Sequence, residues 1–142
     1  MQGRGMKRIS ALLLLLIFCL TGCSGNSVVP TSVSETVQGL KYKQISQEEA
    51  QVMMAKDDGH VIVDVRRQDE YDAGHIPGAI LIPNEEIDKT RPEELPDLNQ
   101  TILVYCRSGR RSKEASEKLA QMGYTNIYEF GGIITWPGET VK

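Results

Sequence analysis

Cys106-Arg107-Ser108-Gly109-Arg110-Arg111-Ser112 sets one thiol and three guanidinium groups within seven consecutive residues. A cysteine is a nucleophile as its thiolate, and neighbouring cations and helix N-termini lower its pKa towards that state. Both are on hand here. The preceding run, Thr101 to Tyr105, is apolar and β-branched, which predicts a buried strand. The following stretch, Ser112 to Met122, predicts a helix that stops at Gly123. A chain that leaves a strand, curls through Gly109 and enters a helix turns several N–H groups inward, and the helix dipole adds positive potential. Cys106 is therefore expected to be ionised, and the loop to attract a small anion. A thiol buried merely as a small hydrophobe gains nothing from Arg107, Arg110 and Arg111 around it.

The rest of the chain supplies the frame for this loop. Tyr42 to Ile45 predicts a short strand. Ser46 with Glu49 three residues on forms a capping box, so a helix follows with Ala50, Met53 and Met54 on its apolar stripe. Val61 to Val65 is a nearly continuous apolar run, the pattern of a strand covered on both faces. Gln68 to Ala73 predicts a short helix ended by Gly74, and Ile80 to Ile82 a strand ended by Pro83. Leu95 to Gln100 reads as a turn, Ile127 to Phe130 as the last strand, and Gly131-Gly132 leads into a turn bearing Trp136. Strands alternating with helices predict an α/β domain whose ligand sites lie at the carboxyl ends of parallel strands. Cys106 falls at such an end.

Residues 1–22 are expected to be a leader and no part of the fold. Arg4, Lys7 and Arg8 precede the apolar run Ala11 to Leu20, which is too short to span a bilayer and suits a signal peptide. Translation from Met6 would give a more ordinary version of the same signal. Leu20-Thr21-Gly22-Cys23 resembles the bacterial lipobox, which implies that Cys23 becomes the lipidated first residue. Residues 23–39 then tether the lipid to a single domain at 40–142, being rich in Ser, Thr, Val and Gly with almost no charge. The implied location is extracytoplasmic, held to a bacterial membrane by acyl chains. Loss of Arg4, Lys7 and Arg8 with the leader takes the formal charge from −3 to −6, which argues against a nucleic-acid partner. Cys19 would leave with the leader and Cys23 carry lipid, so Cys106 is the one free thiol and no internal disulfide is expected.

Four stretches, in order, resemble the landmarks of rhodanese-like sulfurtransferases: Asp64 to Arg66, Gly74 to Ala79, the Cys106 loop, and Gly131 to Gly138. The resemblance covers the predicted domain. It implies a rhodanese-like α/β fold, with a mostly parallel five-stranded central sheet and helices on both faces. It also implies sulfur transfer: the Cys106 thiolate attacks the outer sulfur of an anion such as thiosulfate, sulfite leaves, and the persulfide sulfur passes to cyanide or a thiol. Arg107, Ser108, Gly109, Arg110, Arg111 and Ser112 would bind the anion, with Arg111 expected to point inward. Three guanidinium groups suit a small dianion better than a monoanionic keto acid. Asp64 is implied to brace the loop through backbone or arginine contacts, and Arg66 or Arg67 to face the substrate. Glu70 is expected to pair with an arginine, because thiolate attack needs no base there. His75 is implied to be a structural turn residue. No cofactor is implied, and His60 and His75 are too scattered, without a cysteine pair, to hold a metal. Trp136 is expected to pack as a lid at the domain edge or to line the pocket mouth. The partners so implied are a small sulfur-donating anion and a thiol, the protein being a monomer. Two other readings stay open. One is a sulfur carrier or partner-binding module without turnover. The other is a phosphatase or arsenate reductase of the same fold, whose loop resembles Cys, five residues, then Arg; here Ser112 stands at that place, which favours sulfur.

Overall fold

The computed structural model describes residues 41–142; the expected leader, Cys23 and the tether lie outside the described residues. Strands β1 (Lys43–Gln44), β2 (Val61–Asp64), β3 (Ala79–Leu81), β4 (Thr101–Cys106) and β5 (Asn126–Gly132) form one sheet in the order β1-β5-β4-β2-β3. Every neighbouring pair is parallel. Helices α1 (Gln47–Met54), α2 (Gln68–Ala73) and α3 (Arg110–Gln121) make the crossovers.

The central strand β4 is covered on both faces, as its unbroken apolar run requires. Ile102, Val104 and Cys106 share one layer with Val63, Val65, Ile127 and the α3 residues Ala115 and Leu119. Leu103 and Tyr105 point the other way, towards Ile62, Phe130 and Ala50 of α1. Burial of each such Ile or Leu contributes about 1.5–3 kcal/mol and helps to fix the strand that carries the thiol. The Ser46 cap forms in full: its Oγ accepts from the Glu49 N–H at 3.1 Å, and the Glu49 carboxylate accepts from the Ser46 N–H at 2.8 Å.

Helix α3 begins two residues before the sequence pattern predicts. Gly109 has φ of +101° and is itself the N-cap, so the turn closes within three residues of Cys106. Arg110 and Arg111 thus belong to the first helical turn and not to the loop. The β4–β5 register also shifts between Val104 and Cys106, leaving Cys106 opposite Gly132. Such a bulge re-aims the side chain it displaces. Among the described residues, no helix is long and apolar enough to cross a membrane.

Candidate active site

Cys106 ends β4 with its side chain on the α3 face, 1% exposed. The Gly109 N–H donates to Sγ at 3.0 Å, and the Ser112 hydroxyl oxygen lies 3.5 Å from it. Burial, the largest single influence, pushes the thiol up. The Ser112 hydroxyl and the N–H groups of Ser112, Gly109 and Ser108 together outweigh it and hold Cys106 below the ordinary cysteine range. The thiolate is stabilised by hydrogen bonds from the turn itself.

The turn is braced from behind by β5. An atom in the Cβ position of Gly132 would sit 2.1 Å from the Arg107 carbonyl oxygen, so only glycine lets the strand approach this closely. The Ile134 N–H donates to that same carbonyl at 3.3 Å, and Gln47 Nε2 of α1 donates to the Gly132 carbonyl at 2.8 Å.

Arg67, Glu70, Glu85, Arg107, Ser108, Arg110 and Arg111 line a polar cavity of about 330 Å³ over the loop. The arginines differ in their freedom. Arg111 is tied to Glu70 by two hydrogen bonds of 2.7 and 2.8 Å, and this guanidinium holds Glu70 at a pKa of about 2. Arg110 is exposed and, among the described residues, pairs only with Glu114, at 3.7 Å. Arg107 makes no ion pair among the described residues, and Arg67 pairs with the exposed Asp69 at 3.1 Å. Arg111 therefore forms the wall, while Arg107 and Arg110 are left to meet an anion.

Asp64 does contact an arginine, but not one that braces the loop, and of Arg66 and Arg67 it is Arg67 that borders the cavity. Asp64 stands in register with Tyr105, so strand alternation turns it to the face opposite Cys106. Both side chains are buried, at 0% and 5% exposure. The Arg66 guanidinium donates to both Asp64 oxygens and to the Gly74 carbonyl, and lies over the Tyr105 ring. None of these hydrogen bonds reaches the loop. The pair ties β2 to the turn after α2, and Arg66 does not line the cavity.

His75 stacks on Tyr71 at 3.7 Å, and its backbone bridges to Val141, away from the thiol. His60 lies 2.7 Å from the Asp58 carboxylate. Trp136 packs against Phe130 and lines a separate apolar groove with Met54 and Ile76, not the cavity over Cys106. Among the described residues no cluster of His, Cys, Asp and Glu could hold a metal ion.

The sequence reading passes over Glu129. This carboxylate is 2% exposed on the α3 face of β5, where its Oε1 accepts from the Ser112 hydroxyl at 2.6 Å and from the Gly131 N–H at 2.9 Å. The signal was present: an acidic residue inside an apolar strand, two positions before Gly131-Gly132, whose side chain faces the same layer as Ile127.

Residues 46–137 match the model of the rhodanese-like domain. The thiosulfate sulfurtransferase PspE of Escherichia coli is 42% identical over 71 residues, covering 50% of this chain and 68% of that protein. The thiosulfate sulfurtransferase GlpE of Pseudomonas entomophila is 37% identical over 108 residues, covering 72% of this chain and 94% of that one. A solved structure described as rhodanese with anions from E. coli superimposes with a TM-score of 0.54 at 38% identity, covering 58% of this chain and 98% of that one. With a parallel five-stranded sheet, a cysteine turn at the end of its central strand and these relatives, the chain belongs to the rhodanese-like domain family.

Proposed function

We propose that this protein is a sulfurtransferase that moves sulfane sulfur from an anionic donor such as thiosulfate to a thiol or cyanide through a persulfide on Cys106. One observation carries this reading: the Cys106 sulfur accepts the Gly109 N–H at 3.0 Å inside a turn roofed by arginines. The thiolate attacks the outer sulfur of thiosulfate, a new S–S bond forms, and sulfite departs with the electron pair of the bond that breaks. An acceptor thiolate or cyanide then takes the outer sulfur, and Cys106 leaves as a thiolate. The same inward N–H groups stabilise the negative charge in both steps. The family relatives named as thiosulfate sulfurtransferases support this donor class. A cavity walled by Arg111, with Arg107 and Arg110 left to meet an anion, suits a small dianion.

Thiosulfate:cyanide turnover, measured beside aryl phosphate hydrolysis in the wild type and in Cys106→Ser, tests the reading. Sulfur transfer that falls to background in Cys106→Ser is the expected result. Phosphate hydrolysis without sulfur transfer would overturn it, and persulfide formation without turnover would leave a sulfur carrier. The Cys23 motif further supports lipid anchoring outside the cytoplasm, so fatty-acid label should enter the wild type and not Cys23→Ala.

A further inference from the structure

Ser112 has one hydroxyl proton and four acceptors within reach. Glu129 Oε1 is nearest at 2.6 Å, followed by the Gly109 carbonyl at 3.0 Å, the Gly131 carbonyl at 3.4 Å and Cys106 Sγ at 3.5 Å. The short bond to Glu129 takes the proton while that carboxylate is charged. While it does so the Ser112 hydroxyl cannot also donate to Sγ, so the support it gives the thiolate depends on where that one proton lies. A thiolate needs the opposite arrangement, with Ser112 donating to sulfur and Glu129 donating to Ser112. Glu129 is buried and makes no ion pair among the described residues.

We propose that Glu129 is a positioning residue for sulfur transfer, acting through Ser112, so that the buried trio of Cys106, Ser112 and Glu129 holds one negative charge and passes it between carboxylate and sulfur. The inference rests on the sulfurtransferase reading for its role, but not for its geometry. In the attack step the thiol proton moves to Ser112 and the Ser112 proton to Glu129. The S–S bond to the donor forms, and sulfite leaves. When the acceptor takes the outer sulfur, the departing Cys106 thiolate recovers its proton from Glu129 by the same path. Protons and charge balance in both directions, and no oxidant is required.

The other groups facing the trio are Arg111 with its partner Glu70, from α3 and α2, and the Tyr42 phenol beside β1. All three stay in place in Glu129→Gln, which removes the charge and keeps the shape. The pH dependence of Cys106 alkylation by iodoacetamide then reads the coupling directly. Without a like charge and a competitor for the Ser112 proton, the alkylation midpoint should fall by about one pH unit, a tenfold gain in thiolate below the midpoint. The shift should shrink in a Ser112→Ala background, and Glu129→Asp should restore part of the wild-type behaviour. A brace with no electrostatic role would lower turnover at every pH and leave the midpoint alone. An unmoved or raised midpoint in folded Glu129→Gln would therefore overturn the proposal. Should that variant not fold, Glu129→Asp carries the test: its shorter carboxylate loosens the 2.6 Å bond to Ser112, so an alkylation midpoint below that of the wild type is expected, and an unmoved one would refute the proposal. Alkylation uses no sulfur donor, so a moved midpoint without thiosulfate turnover would sink the enzyme reading and leave the charge coupling of the trio standing without its role in sulfur transfer.

Discussion

Arg107 and Arg111 sit four residues apart and face different tasks. Arg111 is paired with Glu70 through two hydrogen bonds, whereas Arg107 makes no ion pair among the described residues and borders the same cavity. Replacing Arg107 by Ala should therefore lower kcat/KM for thiosulfate about tenfold at low ionic strength, with a smaller effect in high salt. The fold should be untouched. A salt-independent loss would assign Arg107 a structural duty instead. For Cys106 the sign of the pH effect follows from its lowered pKa. The thiolate persists to lower pH than in an ordinary cysteine, so kcat/KM for thiosulfate should fall, as acid passes through the depressed value, at a lower pH than the alkylation of a free cysteine thiol does.

Helix α2 and helix α3 are joined through Glu70 and Arg111, and the junction makes stability pH-dependent. Glu70 is held at about 2 against 4.5 for a free glutamate. A depressed carboxylate stabilises fully above its unfolded value and loses that contribution as pH falls through the folded one. Glu70→Gln should thus cost about 1–3 kcal/mol near neutrality and little near pH 2, which denaturant melts at several pH values will check. Strand β5 makes a steric demand at Gly132. A methyl group there meets the Arg107 carbonyl, so Gly132→Ala should shift the cysteine turn and cut turnover by about a hundredfold. Unchanged turnover would show that the loop can yield. Much of this was legible beforehand: the Ser46 capping box, the Gly74 stop and the unbroken Thr101–Tyr105 run each have local causes. What sequence could not supply was register. Asp64 lies opposite Tyr105, not Cys106, and only pairing across strands decides that. Glu129 escaped for the same reason, because its partner Ser112 is 17 residues away on another element.

Across the whole domain, the two faces of the sheet divide structure from chemistry. The α1–α2 face holds the buried Asp64–Arg66 pair with Tyr105 and Phe130, while the α3 face holds Cys106, Ser112 and Glu129. Asp64→Ala leaves a buried guanidinium without its counter-ion and should cost about 3–5 kcal/mol, a large part of the roughly 5–15 kcal/mol available to a small domain. The pH midpoint of Cys106 alkylation should stay where it is in that variant under conditions where it remains folded. A displaced midpoint would mean that the faces are coupled through β4.

The most direct test of the account is mass spectrometry of the peptide that carries Cys106 after exposure to thiosulfate. A gain of one sulfur atom on Cys106, removed again by cyanide, is predicted. An unmodified Cys106 in folded protein would contradict it.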